Sequence, residues 1–390
     1  MKPNIVFEAP ITSSSGYGIH AREVAQYLCT EFTDIDKIFI DKEWGGCQRV
    51  TNIDESVKSI LKQDISHNIK EINLYIKMGL PNEFNRIGNF NIGITAVVES
   101  SKCSIDFING CNNMDLIIVP SNFCKHTIET SSKEFSIDIV PNIVVIPQCV
   151  DFKTQDKQLD NISNYLDKIK ENFCFLVNQT WNSSLPSNVD RKNTEQLLHL
   201  VLNNFQNKSV EEKPGLILKL HAKNYSISDF RLIEKKLKQF KDEYPNSCNI
   251  YLIHGELNNT EMNTLYNHDK VKALITMTHG EGFGRPILES LMNNKPVIVP
   301  NWSGYLDFVD ESCMKIDGTL GYHGKLDNIF VDNGKWFNVD VDKYREAINN
   351  YFLNYKSIFP NGYSFKDKES YSYTKISKLY KEIIDSYILS

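Results

Sequence analysis

The stretch H-G-E-G-F-G-R-P-I-L-E-S-L, residues 279–291, comes shortly after the largely apolar run 271–275. A run of this kind predicts a buried strand, and Pro286 predicts the first turn of a helix. Glu281 then lies on the loop between the two elements, and Glu289 lies one turn into the helix, facing back to the loop. Open α/β sheets bind ligands beyond the carboxyl ends of their strands, so the stretch predicts a binding pocket at such an edge.

Short apolar runs rich in β-forming residues alternate with amphipathic stretches along the chain. The strand candidates are residues 5–7, 37–40, 73–76, 92–98, 116–119 and 144–146, and then 173–177, 216–220, 249–253, 273–276 and 296–300. The helix candidates are residues 18–32, 193–205, 229–244, 260–266, 286–293 and 371–387. This alternation is typical of an α/β protein with parallel sheets covered by helices.

The chain length of 390 residues favours two domains, since single hydrophobic cores seldom serve so long a chain. The strand–helix rhythm also restarts after a polar stretch at 153–170. We therefore expect two Rossmann-like, doubly wound domains that face each other across a cleft. The predicted boundaries are 1–165 for the first domain, 166–365 for the second, and 366–390 for a C-terminal helix that packs back on the first domain.

Composition and charge argue against several classes of protein. The net charge of −6 gives no support to a broad nucleic-acid surface, and no apolar run approaches the roughly 20 residues of a membrane span. The nine cysteines are dispersed, without the C-x-x-C pairs of zinc sites. We expect a cytoplasmic protein that binds no nucleic acid and contacts membranes at most peripherally, and a homodimer is compatible with the sequence.

A glycine-rich loop follows the first strand candidate. Gly16, Gly18 and Ala21 match the dinucleotide-binding pattern G-x-G-x-x-A, and Asp41 follows the second strand where a ribose-binding acid would sit. This pattern favours an NAD(P)-dependent oxidoreductase as an alternative function. About eight residues separate the strand from Gly16, whereas in that fingerprint the first glycine ends the strand directly. A loop of small residues opening a helix still exposes backbone amides to an anion, and Gly16 is the best-placed phosphate contact.

The residue types of the opening stretch fit a nucleotide-sugar. Carboxylates such as Glu281 and Glu289 accept hydrogen bonds from the paired hydroxyls of a hexose or a ribose. Gly282 and Gly284 expose backbone amides at a helix N-terminus, where a diphosphate binds well. His279, beside the acidic loop, is a further candidate phosphate contact.

The decapeptide G-E-G-F-G-R-P-I-L-E resembles the E-x7-E signature of family 4 retaining glycosyltransferases, which have the GT-B fold. Four further segments resemble motifs of that family: 296–304 its "PVI…SG" segment, 190–193 its basic "RK" site, 147–151 its interdomain "P-x-G-V-D", and Pro120-Ser121 its "PS" before a helix. The resemblance covers most of the chain and is strongest from about 173 to 310.

The resemblance implies roles for individual residues. Glu281 would contact the donor sugar and the reaction centre, and Glu289 the ribose. Arg191 and Lys192 would neutralise the diphosphate. The resemblance also implies donor contacts from Phe283, Gly284, Arg285 and Pro286. The chemistry of their side chains or backbone amides adds Gly16, His279 and Gly282 as donor contacts. No metal cofactor is expected, and we interpret the D-x-D triplets 34–36 and 340–342 as solvated surface.

The chain departs from the family pattern at three places. Asn178-Gln179-Thr180-Trp181 stands where the family often has an arginine, so one cationic contact is missing or comes from elsewhere. Cys149 replaces the glycine of the interdomain motif. The usual acceptor-side histidine is not evident, and the matching strand end, 97–100, resembles a subset of the family with Glu99 there. Glu99 is therefore the candidate acceptor contact.

The predicted function is transfer of a hexose, with retention, from a nucleotide-diphosphate sugar to a hydroxyl of a glycan, lipid or protein-linked acceptor. GDP-mannose is the first expectation for the donor, followed by UDP-glucose or a UDP-N-acetylhexosamine. Proton transfer from acceptor to leaving phosphate on one face and a covalent Glu281 intermediate both remain open. A non-catalytic nucleotide-sugar-binding protein is the other alternative beside the oxidoreductase.

Overall fold

The computed structural model describes residues 4–51, 53–62, 71–151, 161–181, 189–222, 225–323 and 330–388. The chain divides into two compact units. Unit 1 comprises residues 1–149, 325–334 and 369–390, and unit 2 comprises residues 150–324 and 335–368.

Unit 1 contains a seven-stranded, all-parallel sheet. Its strands are β1 (Asn4–Ala9), β2 (Asp36–Asp41), β3 (Leu61–Lys62), β4 (Leu74–Met78), β5 (Phe90–Ile94), β6 (Leu116–Val119) and β7 (Asn142–Val145). They lie in the order β3-β2-β1-β4-β5-β6-β7. Its first four helices are α1 (Gly16–Glu31), α2 (Glu55–Lys58), α3 (Ile105–Cys111) and α4 (Asn122–Phe135).

Alternate residues of the unit 1 strands enter two different hydrophobic cores. Ile5 and Phe7 of β1 belong to a cluster that includes the buried face of α1. Val6, between them, belongs to a second cluster with the buried residues of α3 and α4. Because successive side chains of a strand point to opposite faces, helices cover both faces of this sheet. Unit 1 is therefore doubly wound.

Unit 2 contains a six-stranded, all-parallel sheet and a separate hairpin. The sheet consists of β8 (Cys174–Thr180), β9 (Gly215–His221), β10 (Ile250–Ile253), β11 (Val271–Ile275), β12 (Val297–Pro300) and β13 (Met314–Ile316), in the order β10-β9-β8-β11-β12-β13. The hairpin pairs β14 (Gly318–Tyr322) with β15 (Lys335–Val339) in antiparallel fashion. The helices are α5 (Asn161–Asp167), α6 (Thr194–Phe205), α7 (Ile227–Glu243), α8 (Asn259–Asn267), α9 (Arg285–Met292) and α10 (Val341–Ile358).

The last helix, α11 (Tyr373–Ile388), belongs to unit 1 and packs against α1. Ile376, Tyr380 and Ile384 recur at helical spacing and are buried in the same cluster as Ile5. The Tyr380 hydroxyl also lies 3.2 Å from Nε2 of His20 in α1. The C-terminal segment thus completes the core of the unit that contains the N-terminus. None of the described helices combines the length and apolarity needed to cross a membrane.

Several elements differ from the sequence prediction or were not part of it. Helices α2, α3, α5 and α10 and strands β3 and β13 had no candidate in the sequence. The strand predicted at 92–98 is wrong at its end, because β5 stops at Ile94 and Val97 adopts a left-handed conformation with φ of 55°. The hairpin β14–β15 was not predicted, since its strands show only weak alternation of apolar residues. In the division into units, the chain enters unit 2 at Val150, and helix α5, which spans the predicted boundary at residue 165, packs against α8.

Candidate functional site

A tight turn after β8 presents two basic side chains. The Asp190 carboxylate accepts hydrogen bonds from the backbone N–H of Lys192 (3.2 Å) and of Thr194 (2.8 Å), the first residue of α6. Asn193 takes a left-handed conformation, with φ of 53°, to close the turn. The carboxylate therefore caps the helix and fixes the turn on which Arg191 and Lys192 lie.

The loop after β11 is joined to this turn through the backbone. The N–H of His279 donates to the carbonyl of Arg191 at 2.8 Å. Farther along, the Glu281 N–H donates to Oγ of Ser303 at 3.0 Å, and the Glu281 carbonyl accepts from the N–H of Gly304 at 2.9 Å. The segment after β12 thereby fixes the Glu281 backbone, and the turn after β8 fixes the loop at His279.

Glu281, Arg191 and Lys192 form one ion cluster, in which Glu281 is buried and the two cations are partly exposed. The Lys192 ammonium lies 2.5 Å from Oε1 of Glu281, and the Arg191 guanidinium lies 3.3 Å from Oε2. The Thr278 hydroxyl donates to Oε1 at 2.9 Å, and Arg191 also donates to the Gly280 carbonyl at 2.7 Å. Burial raises the pKa of Glu281, but the Lys192 and Arg191 cations outweigh it and lower that pKa to about 2. The carboxyl group is ionised at neutral pH.

Glu289 belongs to a different set of contacts. Its Oε1 accepts from Nε of Arg285 at 3.0 Å and its Oε2 from the hydroxyl of Tyr266 at 3.0 Å. The Tyr266 hydroxyl in turn accepts from the Asn178 amide at 2.8 Å. Burial raises the pKa of Glu289, although the Arg285 cation and the Tyr266 hydrogen bond act in the opposite direction. The two glutamates of the motif therefore have opposite pKa shifts.

The N-terminus of α9 lies between these two glutamates in the chain. Helix α9 begins at Arg285, so Pro286 is its second residue, and Gly284 caps it with φ of 89°. The Phe283 side chain is 4% exposed and packs against Phe308, with ring centroids 5.1 Å apart. Of the predicted donor contacts here, Arg285 pairs with Glu289, and the Phe283 ring lies in the core.

His279 is fixed by the hairpin. Its Nδ1 donates to the carbonyl of Phe337 in β15 at 2.8 Å, and its own carbonyl accepts from the Phe337 N–H at 3.1 Å. The imidazole stacks on Trp336, with centroids 5.1 Å apart and planes 8° apart. Burial lowers the pKa of His279. A neutral ring that donates from Nδ1 has its lone pair on Nε2.

The glycine-rich loop of unit 1 has structural reasons for two of its fingerprint residues. A Cβ at Gly18 would lie 2.0 Å from the Ser13 carbonyl oxygen, so the loop requires glycine there. The Asp41 carboxylate accepts from both the backbone N–H and the hydroxyl of Thr12, at 2.9 and 2.6 Å. Gly16 begins α1 and has open space around its Cβ position. Gly18 and Asp41 are thus explained by contacts within the loop.

The candidate acceptor residue Glu99 lies in unit 1 on the loop after β5. This loop is organised by Tyr17, whose hydroxyl accepts from the N–H of Ala96 at 2.8 Å and lies 3.3 Å from Oγ1 of Thr95. The same Thr95 oxygen accepts from the N–H of Val97 at 3.0 Å, which holds the left-handed turn. Glu99 is half-buried beside it.

Several residues of the site were not predicted from the sequence. Thr278, Ser303 and Tyr266 support the two glutamates through hydrogen bonds. Gln179 lies in the segment where the family often has an arginine, and it is 6% exposed. Its amide donates to the Thr194 hydroxyl at 2.9 Å and accepts from the Thr276 hydroxyl at 3.1 Å. Only the resemblance of 296–304 to a family motif gave a signal for Ser303. Hydroxyl and amide groups of this kind are too common in any sequence to stand out.

Among the residues that the structure describes, no group of three or more His, Cys, Asp or Glu side chains is arranged to hold a metal ion. Of the D-x-D triplets, Asp340 caps α10 by accepting from the N–H groups of Asp342 and Lys343. Asp34 and Asp36 are exposed.

Comparison with known proteins establishes the fold. No protein-family model and no curated protein sequence matches the chain. Similar solved structures include a glycosyltransferase from Rickettsia africae ESF-5 (TM-score 0.63, 14% identity, 99% of each chain), sucrose-phosphate synthase from Thermosynechococcus elongatus (0.56, 12%, 99% of this chain and 100% of that one), and HepE from Anabaena in complex with UDP-glucose (0.54, 12%, 98% and 99%).

Likeness at this level of identity shows the fold and leaves the activity open. Together with the two parallel, helix-covered sheets, it defines an α/β protein of the GT-B fold. The predicted fold class is confirmed.

Proposed function

We propose that the protein is a metal-independent, retaining glycosyltransferase. It transfers a hexose from a nucleotide-diphosphate sugar to a hydroxyl of a glycan, lipid or protein-linked acceptor. The observation that carries this proposal is the ion cluster of Glu281 with Arg191 and Lys192 beyond the carboxyl ends of β8 and β11. That edge is where open α/β sheets bind their ligands.

The two cations suit the diphosphate of a donor. Arg191 and Lys192 are each partly exposed, with side-chain exposures of 23% and 15%, so a ligand reaches them. A diphosphate carries more negative charge than the single Glu281 carboxylate and competes with it for both cations. Preorganised positive charge of this kind, together with the N-terminus of α9, stabilises the negative charge that develops on the leaving phosphate.

Glu281 suits the sugar and the positive charge that develops at its reacting carbon. The ionised carboxylate accepts hydrogen bonds from sugar hydroxyls and stabilises an oxocarbenium-like centre electrostatically. The acceptor proton is proposed to pass to the leaving phosphate on the face of attack, and a covalent Glu281 intermediate is the alternative.

Glu289 and His279 suit hydroxyl groups of the donor. Both Glu289 oxygens already accept one hydrogen bond, yet a carboxylate has about four lone-pair sites and can still receive ribose hydroxyls. The neutral His279 ring presents Nε2 as an acceptor, which fits a sugar hydroxyl better than a phosphate oxygen. The backbone amides of Gly282 and Gly284 and the Gly16 loop complete the proposed donor contacts.

The donor is proposed to be GDP-mannose, UDP-glucose or a UDP-N-acetylhexosamine. The motifs of the second domain favour GDP-mannose, whereas HepE, which is similar in fold, was solved with UDP-glucose. We would titrate the purified protein calorimetrically with GDP-mannose, UDP-glucose, UDP-GlcNAc and NAD+, with EDTA present throughout. Saturable binding of one sugar nucleotide supports the proposal and identifies the donor. Binding of NAD+ alone would favour the oxidoreductase instead.

Substitution at the ion cluster separates an enzyme from a binding protein. Glu281→Ala should abolish transfer while circular dichroism stays unchanged, and Lys192→Ala should weaken binding of the nucleoside diphosphate. Lys343→Ala, on the surface of α10 and 57% exposed, is the matched charge control. Full activity of Glu281→Ala would refute its assignment. A wild-type protein that binds the donor without transferring or hydrolysing its sugar would be the non-catalytic alternative.

A further inference from the structure

A cavity of about 460 Å³ lies in unit 2 between α6 and the hairpin β14–β15. This volume falls within the range of about 300–1,000 Å³ that is usual for small-molecule sites. The described lining residues are Asn193, Glu195, Gln196 and His199 on one side, and His279, Gly321, Tyr322, His323, Trp336 and Asn338 on the other. Nothing in the proposed donor contacts uses this cavity except His279, which borders both.

Aromatic rings form the hairpin side of the cavity. Trp336 contacts two imidazoles: His279 stacks on it with ring centroids 5.1 Å apart, and His323 is tilted by 50° with centroids 5.2 Å apart. Tyr322 is 71% exposed, so packing within the protein does not by itself explain an aromatic ring at this position. Rigid rings with one open face bind the apolar C–H face of a pyranose, and their polar edges accept or donate hydrogen bonds.

The α6 side of the cavity is polar and has almost no unbalanced charge. Gln196 is exposed there, and its amide oxygen accepts from the Asn193 amide at 2.6 Å. The Glu195 carboxylate is balanced by Lys236 at 2.8 Å. No lysine or arginine is among the described lining residues, and His279 is neutral because burial lowers its pKa. Outside the lining, the Lys335 ammonium lies over the Tyr322 ring, 5.0 Å from its centroid, so an anionic ligand is the competing occupant that the binding test separates. A purely apolar ligand would leave the exposed amides without hydrogen-bond partners.

The geometry points to a subsite for a neutral saccharide unit in this cavity. Its position suits one sugar of an acceptor glycan, because His279 is two residues from Glu281 and Asn193 directly follows Lys192. The assignment to an acceptor rests on the proposed transferase function, whereas saccharide binding itself does not. If it holds, the acceptor is a glycan of at least two sugar units, since one unit occupies the cavity and another presents the reacting hydroxyl.

Direct binding of simple sugars tests the subsite. Saturation-transfer difference NMR on the full-length protein would use the methyl glycosides of glucose, galactose, mannose and N-acetylglucosamine. We expect at least one to bind, and Gln196→Ala and Tyr322→Ala each to weaken it about tenfold, since each removes one hydrogen bond or ring contact. Asn203→Ala on α6 and Leu320→Ala on β14 are matched exposed controls outside the cavity lining, and they should bind as wild type.

Separate results of these binding measurements would overturn the inference. No glycoside binding, or binding that survives in both cavity variants, excludes the subsite. Tighter binding of glucose 6-phosphate than of methyl glucoside, lost in the same variants, would show an anion site instead.

Failure of the proposed function gives a different pattern. Glycoside binding that depends on Gln196 and Tyr322 without any sugar-nucleotide binding would refute the transferase and keep the subsite. Transfer to an oligosaccharide that is unchanged in both variants would refute the acceptor assignment of the subsite and keep the transferase.

Discussion

At the scale of single residues, the site is organised around the charge of Glu281. The carboxylate is 9% exposed, and burial alone would favour its neutral form. Arg191 and Lys192 reverse that preference because they lie within ion-pair distance of both oxygens. The same cations that we assign to the diphosphate therefore set the ionisation of the acid when no donor is bound.

Lys192→Met should make this coupling visible in the pH dependence of stability. A folded-state pKa of about 2, below the ordinary 4.5, stabilises the native state above pH 4.5, and this contribution is lost as pH falls toward 2. Without the ammonium, the folded-state pKa of Glu281 rises. Urea midpoints at a series of pH values should differ most between wild type and variant above pH 4.5 and converge at lower pH. A difference that stays constant over this range would contradict the coupling.

Ser303 is a strained residue that holds Glu281. Its φ of 87° and ψ of −169° lie in a region that essentially only glycine occupies, at a cost on the order of 1–3 kcal/mol. The side chain is nevertheless useful, because Oγ accepts the Glu281 N–H. Backbone strain is thus retained at the residue that fixes the loop of the proposed catalytic carboxylate.

Two substitutions at position 303 separate the strain from the hydrogen bond. Ser303→Ala keeps the strain and leaves the Glu281 N–H without its acceptor, which should cost about 1–3 kcal/mol of unfolding free energy. Ser303→Gly loses the same bond but relieves the strain, so it should be more stable than Ser303→Ala by about 1–3 kcal/mol. Both should transfer sugar more slowly than wild type. Equal urea midpoints for the two variants would show that the backbone is not strained.

At the scale of elements, the start of α9 depends on one left-handed residue. Gly284 has φ of 89°, and a Cβ there would lie 3.1 Å from the ring and Cβ atoms of Tyr305. The chain turns at this point from the Glu281 loop into a helix whose first turn faces the loop. The E-x7-E spacing is thus a consequence of one tight turn followed by one helical turn.

Gly284→Ala should destabilise the protein by about 1–3 kcal/mol, because a side chain is strained at positive φ and crowds Tyr305. Gly16→Ala, at the start of α1, is the matched substitution, since its Cβ meets nothing within 4 Å and its φ is not positive. Its stability should stay within about 0.5 kcal/mol of wild type or rise. Chemical denaturation measures both. A Gly16→Ala variant that is stable but binds the donor weakly would support the proposed phosphate contact of this loop.

At the scale of the whole molecule, the two ends of the chain meet in one core. Strand β1 opens unit 1, and α11 returns to it after the whole of unit 2 has been formed. Ile376 and Ile384 of α11 are fully buried in the cluster that contains Ile5 and Phe7. Unit 1 therefore lacks part of its core until the last residues are in place.

Ile376→Ala should cost about 2–5 kcal/mol of unfolding free energy, as expected for a cavity in a packed core. Lys378→Ala lies on the exposed side of the same helix and should change stability by less than about 0.5 kcal/mol. Urea unfolding followed by circular dichroism compares the two. Equal midpoints would mean that α11 contributes little to unit 1.

The fold class could be predicted from the sequence alone, and the sequence also singled out the residues of the proposed site. Alternating apolar runs and amphipathic stretches predict parallel sheets from local periodicity alone, and most strands of both units lie within a few residues of their predicted positions. Glu281, Arg191 and Lys192 carry a recognisable spacing and residue type. Local signals sufficed because each one depends only on neighbours in the chain.

The interactions among these residues depend on contacts between distant parts of the chain. The ion pair of Glu281 with Lys192 joins residues 89 positions apart, and the contact between His279 and Phe337 joins residues 58 positions apart. Strand β5 ends early because hydrogen bonds from the segment 95–97 to Tyr17 and Thr95 hold Val97 in a left-handed turn. Valine by itself favours a strand. The opposite pKa shifts of Glu281 and Glu289 arise in the same way. Long-range contacts set the charge and orientation of each group, and no local pattern in the sequence encodes them.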